Sequence, residues 1–299
     1  MSTTPATPAP PPSLLASGRV KRRKTVSRLV ELAATLASFA AVALLALMVG
    51  SVIVKALPAL NVHLFTRNQA TFGEAGGGIQ NAIVGSFVLI AVAAAIALPL
   101  GVLIAVYVSE FASPRIAVVV RTALDVLNGV PSIVIGIFIY GLLVVRFKQN
   151  AFIASLALAI IMLPLISRSA QEVLKLVPST LREASHGLGV SKWRTVLQVV
   201  LPTALGGIAT GATLAIARAA GETAPIIFTS TLFTNTTSFD PRHAVNSIPF
   251  MIFFNSESPD PHLHEQAWAG AFLLIAFVLT TSLTARYLLH RAARKLQQR

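Results

Sequence analysis

The chain reads as an all-α polytopic membrane protein with six transmembrane helices and both termini cytoplasmic, and three observations lead there. The first is composition. Of 299 residues, 55% are hydrophobic and 12% charged, with a mean hydropathy of +0.74, whereas soluble domains carry roughly 25% charged residues. The second is length: apolar runs recur that can cross a ~30 Å hydrocarbon core, which takes about 20 helical residues. The third is where the cations fall. With the runs threaded alternately, 18 of the 24 Lys and Arg residues lie near one face, as the positive-inside rule requires of the cytoplasmic side. That placement accounts for the net charge of +13. No basic surface with interleaved aromatics remains, so nucleic acid is excluded as a partner. Cysteine is absent, which rules out disulfides and thiolate metal sites.

Residues 1–28 are rich in Pro, Thr, Ser and Ala and then basic, and read as a disordered cytoplasmic tail. Residues 29–57 form the first transmembrane helix, too long for the apolar core of a cleaved signal peptide. Residues 58–78 are polar and include Arg67, Glu74 and the run Gly76, Gly77, Gly78. No Gly-Lys-Ser/Thr follows those glycines or occurs elsewhere, so the chain is expected to bind neither ATP nor another cofactor itself.

The second span, 79–109, contains Pro99, whose ring leaves the Ala95 carbonyl without a donor and predicts a kink. The third, 116–145, has Asp125, Asn128, Gly129 and Pro131 at its middle. Such a polar, breakable point in a membrane faces a bundle interior or a watery path. The fourth, 151–177, carries Pro164 and then Arg168 and Glu172 at i, i+4, readable as a structural ion pair or as part of a coupling device.

The fifth span rises from Leu201, with Gly206, Gly207 and Gly211 suited to close helix packing. It then carries Arg218 and Glu222, one helix face apart by four residues, beside Gly221 and Pro225, which make the backbone deformable. Charges inside an apolar helix are costly, so a functional role is the default, against a self-neutralising pair that only fixes packing. Residues 231–264 read as a longer polar loop. Asn235-Thr236-Thr237 is a glycosylation pattern there, and His262 and His264 lack a matching ligand set, so no metal site is expected. The sixth span covers 265–289, and 291–299 form a basic cytoplasmic tail.

The connection 178–202 is the one long polar, basic stretch between spans that is neither a tail nor an outer loop. A short helix is predicted over 179–186, entered after Pro178, with Thr180 and Glu183 spaced as a capping box and Gly187 or Gly189 as the stop. Leu181, Ala184, Ser185 and Leu188 recur on one small, apolar face, with Arg182 and Glu183 pointing elsewhere. Ser191 is placed to cap a second helix carrying Lys192, Trp193 and Arg194. An ordinary cytoplasmic hairpin is the plainer alternative.

Glu183-Ala184-Ser185, then Gly189, then Val199-x-Leu201-Pro202 resemble the Glu-Ala-Ala loop of ABC importer permeases, departing only at Ser185 for Ala and Val199 for Ile. The resemblance covers about residues 79–290. It implies the type I ABC importer permease fold, a coupling loop at 178–200, and Glu183, Ala184, Ser185, Leu188 and Gly189 as the residues that meet an ATPase. Pro99, Pro131, Pro164, Gly221 and Pro225 are the expected helix hinges.

Arg218-x-x-Gly221-Glu222-Thr223-Ala224-Pro225 is similar to the motif of phosphate importer permeases, whereas sulfate and molybdate relatives tend to have Gly-Glu-Phe-Gly there. Asp125-x-x-x-Gly129-x-Pro131-Ser132-Ile133 matches the same group, as does Leu163-Pro164 with Arg168 and Glu172 ahead of Val177-Pro178. The chain looks like the second of the two related permease subunits of that system. The implied protein is a bacterial inner-membrane permease for inorganic phosphate, with Arg218, Glu222 and Asp125 along the path. Its implied partners are a second related permease subunit, two copies of a cytoplasmic ATPase that binds the ATP, an extracytoplasmic phosphate-binding protein and membrane lipid. The alternatives are another oxyanion, sulfate or molybdate, or an ATP-independent secondary transporter, for which no inverted repeat is visible. An enzyme is disfavoured because the intramembrane charges form no nucleophile, base and orienter set.

Overall fold

The computed structural model describes residues 18–69, 77–231 and 236–297, and among them every regular element is helical. The chain divides into two units, residues 1–51 and 52–299. The described part of the first is most of α1 (Gly18–Ala56), a single unbroken helix. Residues 18–28, expected in a disordered tail, are therefore helical. Their Arg and Lys are good helix formers, and no Pro or Gly interrupts them after Gly18. The Pro-rich residues 1–17, Glu74 and Asn235 of the glycosylation pattern lie outside the described residues.

In the second unit, α2 (Val62–Thr66) is capped by Asn61, whose side chain accepts the Leu64 amide at 3.0 Å. The spine is the pair α3 (Gln80–Val106) and α7 (Ala151–Leu176). Ala93, Ala97, Ala151 and Ala154 are buried in one cluster there. Small side chains let two backbones approach closely, which is how membrane helices gain packing energy when lipid is as apolar as they are. Pro99 and Pro164 sit inside these two helices, and the chain stays helical through both.

At Pro131 it does not. The third span, expected as one helix over 116–145, is instead α4 (Pro114–Gly129) and α5 (Ser132–Ile139), bent by 95° at the break between them. Pro131 offers no amide and pushes Val130 out of the helical region, to φ −70° and ψ 128°. A π turn, Tyr140–Val144, carries α5 into α6 (Val145–Phe147). Among the described residues, five helices are long and apolar enough to cross a membrane, and the bent pair taken as one span makes six.

The fifth span also has different limits. It begins at Lys192, in α9 (Lys192–Thr195), and passes through a π turn, Val196–Val200, into α10 (Leu201–Ala220). Pro202 cannot donate to the carbonyl one turn back, and the wider π turn just before it absorbs the defect. Gly221 ends α10, and α11 (Ala224–Thr229) starts anew with Pro225 in its first turn. Glu222 and Pro225 thus lie past the end of the span rather than inside it.

The stretch expected as a polar loop contains α12 (Ile248–Ser256). Ser247 caps it by accepting the Phe250 amide, and Ser86 Oγ of α3 accepts the Ile248 amide at 2.8 Å. Pro249 is tolerated because it falls in the first turn, where amides are free anyway. The last helix, α13 (Pro261–Gln297), begins before the expected 265 and continues through 291–297, read from sequence as a tail.

Candidate functional site

Helices α4, α7 and α10 meet around a cavity of about 460 Å³. Asp125 and Asn128 reach it from α4, Arg168, Ser169 and Glu172 from α7, and Gly211 and Arg218 from α10. With Leu165 on α7 and with Leu214 and Ala215 on α10, each stripe runs i, i+3, i+4, i+7, one face of a helix. Gly211 is required by the close approach of the two helices: a Cβ there would run into the Ser169 side chain.

Arg168 stands between two carboxylates, with Nη1 3.9 Å from Asp125 Oδ1 and Nε 3.7 Å from Glu172 Oε1. Arg218 Nε lies 3.6 Å from Glu222 Oε1. All three separations exceed the usual N–H···O range of about 2.7–3.2 Å, so they are Coulombic contacts without hydrogen bonds. The side chains of Arg168 and Arg218 are 48% and 53% exposed, whereas that of Glu222 is 16% exposed. Two guanidinium groups with donors not engaged by these carboxylates therefore open onto one cavity. Such an arrangement can accept an oxyanion through bidentate, charge-assisted bonds.

Of the residues singled out from sequence, Asp125, Arg168, Glu172 and Arg218 come together, and Pro164 lines the same cavity. Glu222 does not line it but holds Arg218 from the turn after α10. Sequence reasoning kept Arg168 and Glu172 apart from Arg218, because the meeting of α7 and α10 is a tertiary fact. It also missed Arg121, whose Nε donates to Oε1 of buried Gln171 at 3.2 Å and braces α4 against α7. The available signal was an Arg one turn before Asp125.

The loop helix is α8 (Ser179–Gly187), close to the predicted bounds. The capping box does not form. Pro178 occupies the N-cap, so Thr180 is already inside the first turn and makes no capping bond. The C-terminus closes as a Schellman motif: the Gly189 amide donates to His186 O at 2.9 Å and the Val190 amide to Ser185 O at 3.1 Å. Gly189 supplies the left-handed residue this needs, at φ +75°.

Ser185 departs from the expected apolar face. It is buried, with Oγ 2.8 Å from Thr195 Oγ1 of α9, while Leu181, Glu183, Ala184 and Leu188 face outward, Leu188 at 84% exposure. Ser191 precedes α9 without a side-chain capping bond. Trp193 packs on Phe111, ring centroids 5.8 Å apart.

Sequence gave no hint of the strongest polar contact here. Arg182 Nη2 donates to Glu110 Oε1 at 2.8 Å and Nε to Oε2 at 3.4 Å, and the guanidinium also reaches the carbonyls of Val177 at 2.7 Å and Leu174 at 3.0 Å. Glu110 lies in the π turn Tyr107–Phe111 that ends α3, its side chain only 8% exposed.

Residues 97–294 match the family model described as "Binding-protein-dependent transport system inner membrane component", a stretch that includes both the cavity and α8. The chain belongs to this family. As a binding-protein-dependent transport permease it is a multi-pass inner-membrane subunit and not itself an enzyme. The permease is 39% identical over 266 residues to the phosphate transport system permease protein PstA of Pasteurella multocida, covering 88% of this chain and 94% of that protein. It is 38% identical over 238 residues to PstA of Yersinia pestis, covering 79% and 80%. Among solved structures, its fold is similar to that of a bacterial ABC transporter involved in the import of alginate, with a TM-score of 0.63, 14% identity, and 91% and 99% of the two chains covered. It is likewise similar to the inward-facing MetNI methionine ABC transporter, at 0.55 and 18%, covering 72% and 94%.

Proposed function

We propose that this chain is the permease subunit of an ATP-driven ABC importer of inorganic phosphate. The observation that supports the substrate most directly is the cavity in which Arg168 and Arg218 stand together, each facing a carboxylate at 3.6 to 3.9 Å. A phosphate anion crossing a low-dielectric bundle needs compensating positive charge, and planar guanidinium groups match its oxygens two at a time. Asp125, Glu172 and Glu222 hold the arginines while the path is empty and yield them when the anion arrives. The cost of separation is small, because half-exposed ion pairs contribute only about 0–1 kcal/mol. Gly221 and Pro225, at the junction of α10 and α11, let Glu222 move relative to Arg218.

In this reading α8 seats on one of two copies of a cytoplasmic ATPase, which binds the ATP, and Glu183, Ala184, Leu188 and Gly189 are the coupling residues. Ser185, buried against Thr195, supports the loop from within. A second related permease subunit completes the path, and an extracytoplasmic binding protein delivers phosphate. The chain contributes no cofactor site of its own. The test is uptake of radiolabelled phosphate at low external concentration in cells lacking this chain, with and without its restoration. Uptake lost on deletion and recovered on restoration is the expected result. Unchanged uptake in a strain with no duplicate system would refute phosphate as the cargo, and sulfate and molybdate would be measured in the same cells.

A further inference from the structure

Helix α8 is attached to the rest of its unit in two ways. Towards α10 it is held by the Ser185–Thr195 contact and the Schellman turn that leads into α9. Towards α7 it is joined directly through Val177 and Pro178, and the side chain that ties it to α7 and α3 together is that of Arg182. That guanidinium makes four bonds: two to the two oxygens of Glu110, and one each to the carbonyls of Val177 and Leu174. The two carbonyls belong to the last turn of α7 and its C-cap; Pro178 has no amide to give Leu174 O, which takes instead a long bond from the Val177 amide at 3.4 Å. Glu110 belongs to the turn that ends α3.

From this geometry we infer that Arg182 is a positioning residue of the transport cycle, the rigid link through which displacement of α8 is passed to α3 and α7 as one body. The inference rests on the reading of α8 as the motor-docking helix. Arg182 does not itself touch cargo or, in this reading, the ATPase. Its effect reaches the cavity because α7 carries Arg168 and Glu172 within two turns of Leu174. α3 follows α7 because their buried alanines interlock. Without the link, α8 still moves α10 through Thr195, but the two-residue Val177–Pro178 connection alone passes less of the motion to α7, and Arg168 moves less in step with Arg218. The planar fork is essential, since a lysine ammonium is a point charge and cannot reach a carboxylate and two carbonyls in fixed directions.

The experiment uses the complete transporter, with its partner permease and ATPases, reconstituted in proteoliposomes with the binding protein. Arg182→Met and Arg182→Lys are compared with the unaltered chain for assembly, basal ATP hydrolysis, phosphate KM and Vmax, and phosphate moved per ATP. For Arg182→Met the expected result is unchanged assembly, basal hydrolysis and KM, with Vmax and phosphate per ATP lower by about tenfold, within the range typical of coupling between distant sites. Arg182→Lys restores part of the loss. Because Arg182→Met leaves Glu110 buried and unpaired, the double variant Glu110→Gln with Arg182→Met is measured alongside it and is expected to be equally uncoupled. Wild-type phosphate per ATP in either methionine variant would overturn the inference, as would a loss of transport that only mirrors lost assembly. If the unaltered transporter moves sulfate or molybdate rather than phosphate, the cargo reading falls. The same ratio measured with that anion then decides the role of Arg182.

Discussion

Substituting Gly189 separates backbone conformation from surface contact in the loop. Its φ of +75° lies in the left-handed region, and a Cβ built there meets nothing within 4 Å. Alanine therefore introduces no clash, and its cost is conformational, about 1–2 kcal/mol for an L residue in that region. That corresponds to a factor of roughly 5–30 in the population of the closed turn. What opens is specific: the amides of residues 189 and 190 leave His186 and Ser185, and the Ser185–Thr195 contact loosens with them. The series is Gly189→Asn, Ala, Val and Asp, assayed in the assembled transporter by hydrogen exchange at residues 189 and 190 and by uptake per complex. Asparagine, which tolerates left-handed backbone, is expected near wild type, alanine intermediate and β-branched valine worst. Aspartate tolerates the conformation almost as well as asparagine, so a selective failure of Asp reports a partner surface rather than the turn. Valine performing as well as glycine, or asparagine as badly as valine, would refute the conformational argument.

The other expectations concern the cavity and the inner face of α8. Arg218→Gln at normal protein level and assembly should lower phosphate uptake roughly tenfold or more, since a hydrogen bond to a charged group is worth about 1.5–3 kcal/mol; uptake unchanged in vesicles would remove Arg218 from the path. Asp125→Asn should leave thermal stability within about 1 kcal/mol, because its contact with Arg168 is long and exposed, yet change the KM for phosphate, which a uptake titration reads. Ser185→Ala should cost only about 1 kcal/mol, as Thr195 Oγ1 also bonds Ser191 O at 3.3 Å. Ser185→Leu overfills a buried site and should cost about 1–3 kcal/mol, seen as faster proteolysis of the loop.

The spans and the loop helix were legible because each rests on local signals: long apolar runs for the membrane helices, and Pro178 with Gly189 for the ends of α8. The capping box failed because Pro178 took the N-cap two residues early, which moved Thr180 into the helix. α12 was missed because six of its nine residues are apolar, in a continuous run without helical alternation, with Pro249 inside the segment. Within the candidate site, Arg218 and Glu222 could be paired from sequence, being four residues apart. Joining them to Arg168 and Asp125 could not be read, because it depends on α4, α7 and α10 converging. The Glu110–Arg182 link spans 72 residues and follows no periodicity.

Each π turn described above contains one residue more than the α-helical path it interrupts, and each residue of an α-helix advances the facing direction by about 100°. The turn Val196–Val200 therefore sets the angular phase between Trp193 and the stripe from Gly211 to Arg218. Removing one residue from it would leave a straighter, more regular helix, yet would swing either the loop or Arg218 round to the wrong side. Length in this short segment is accordingly under tighter constraint than side-chain identity: Leu197 can be exchanged for another apolar residue, but it cannot be deleted.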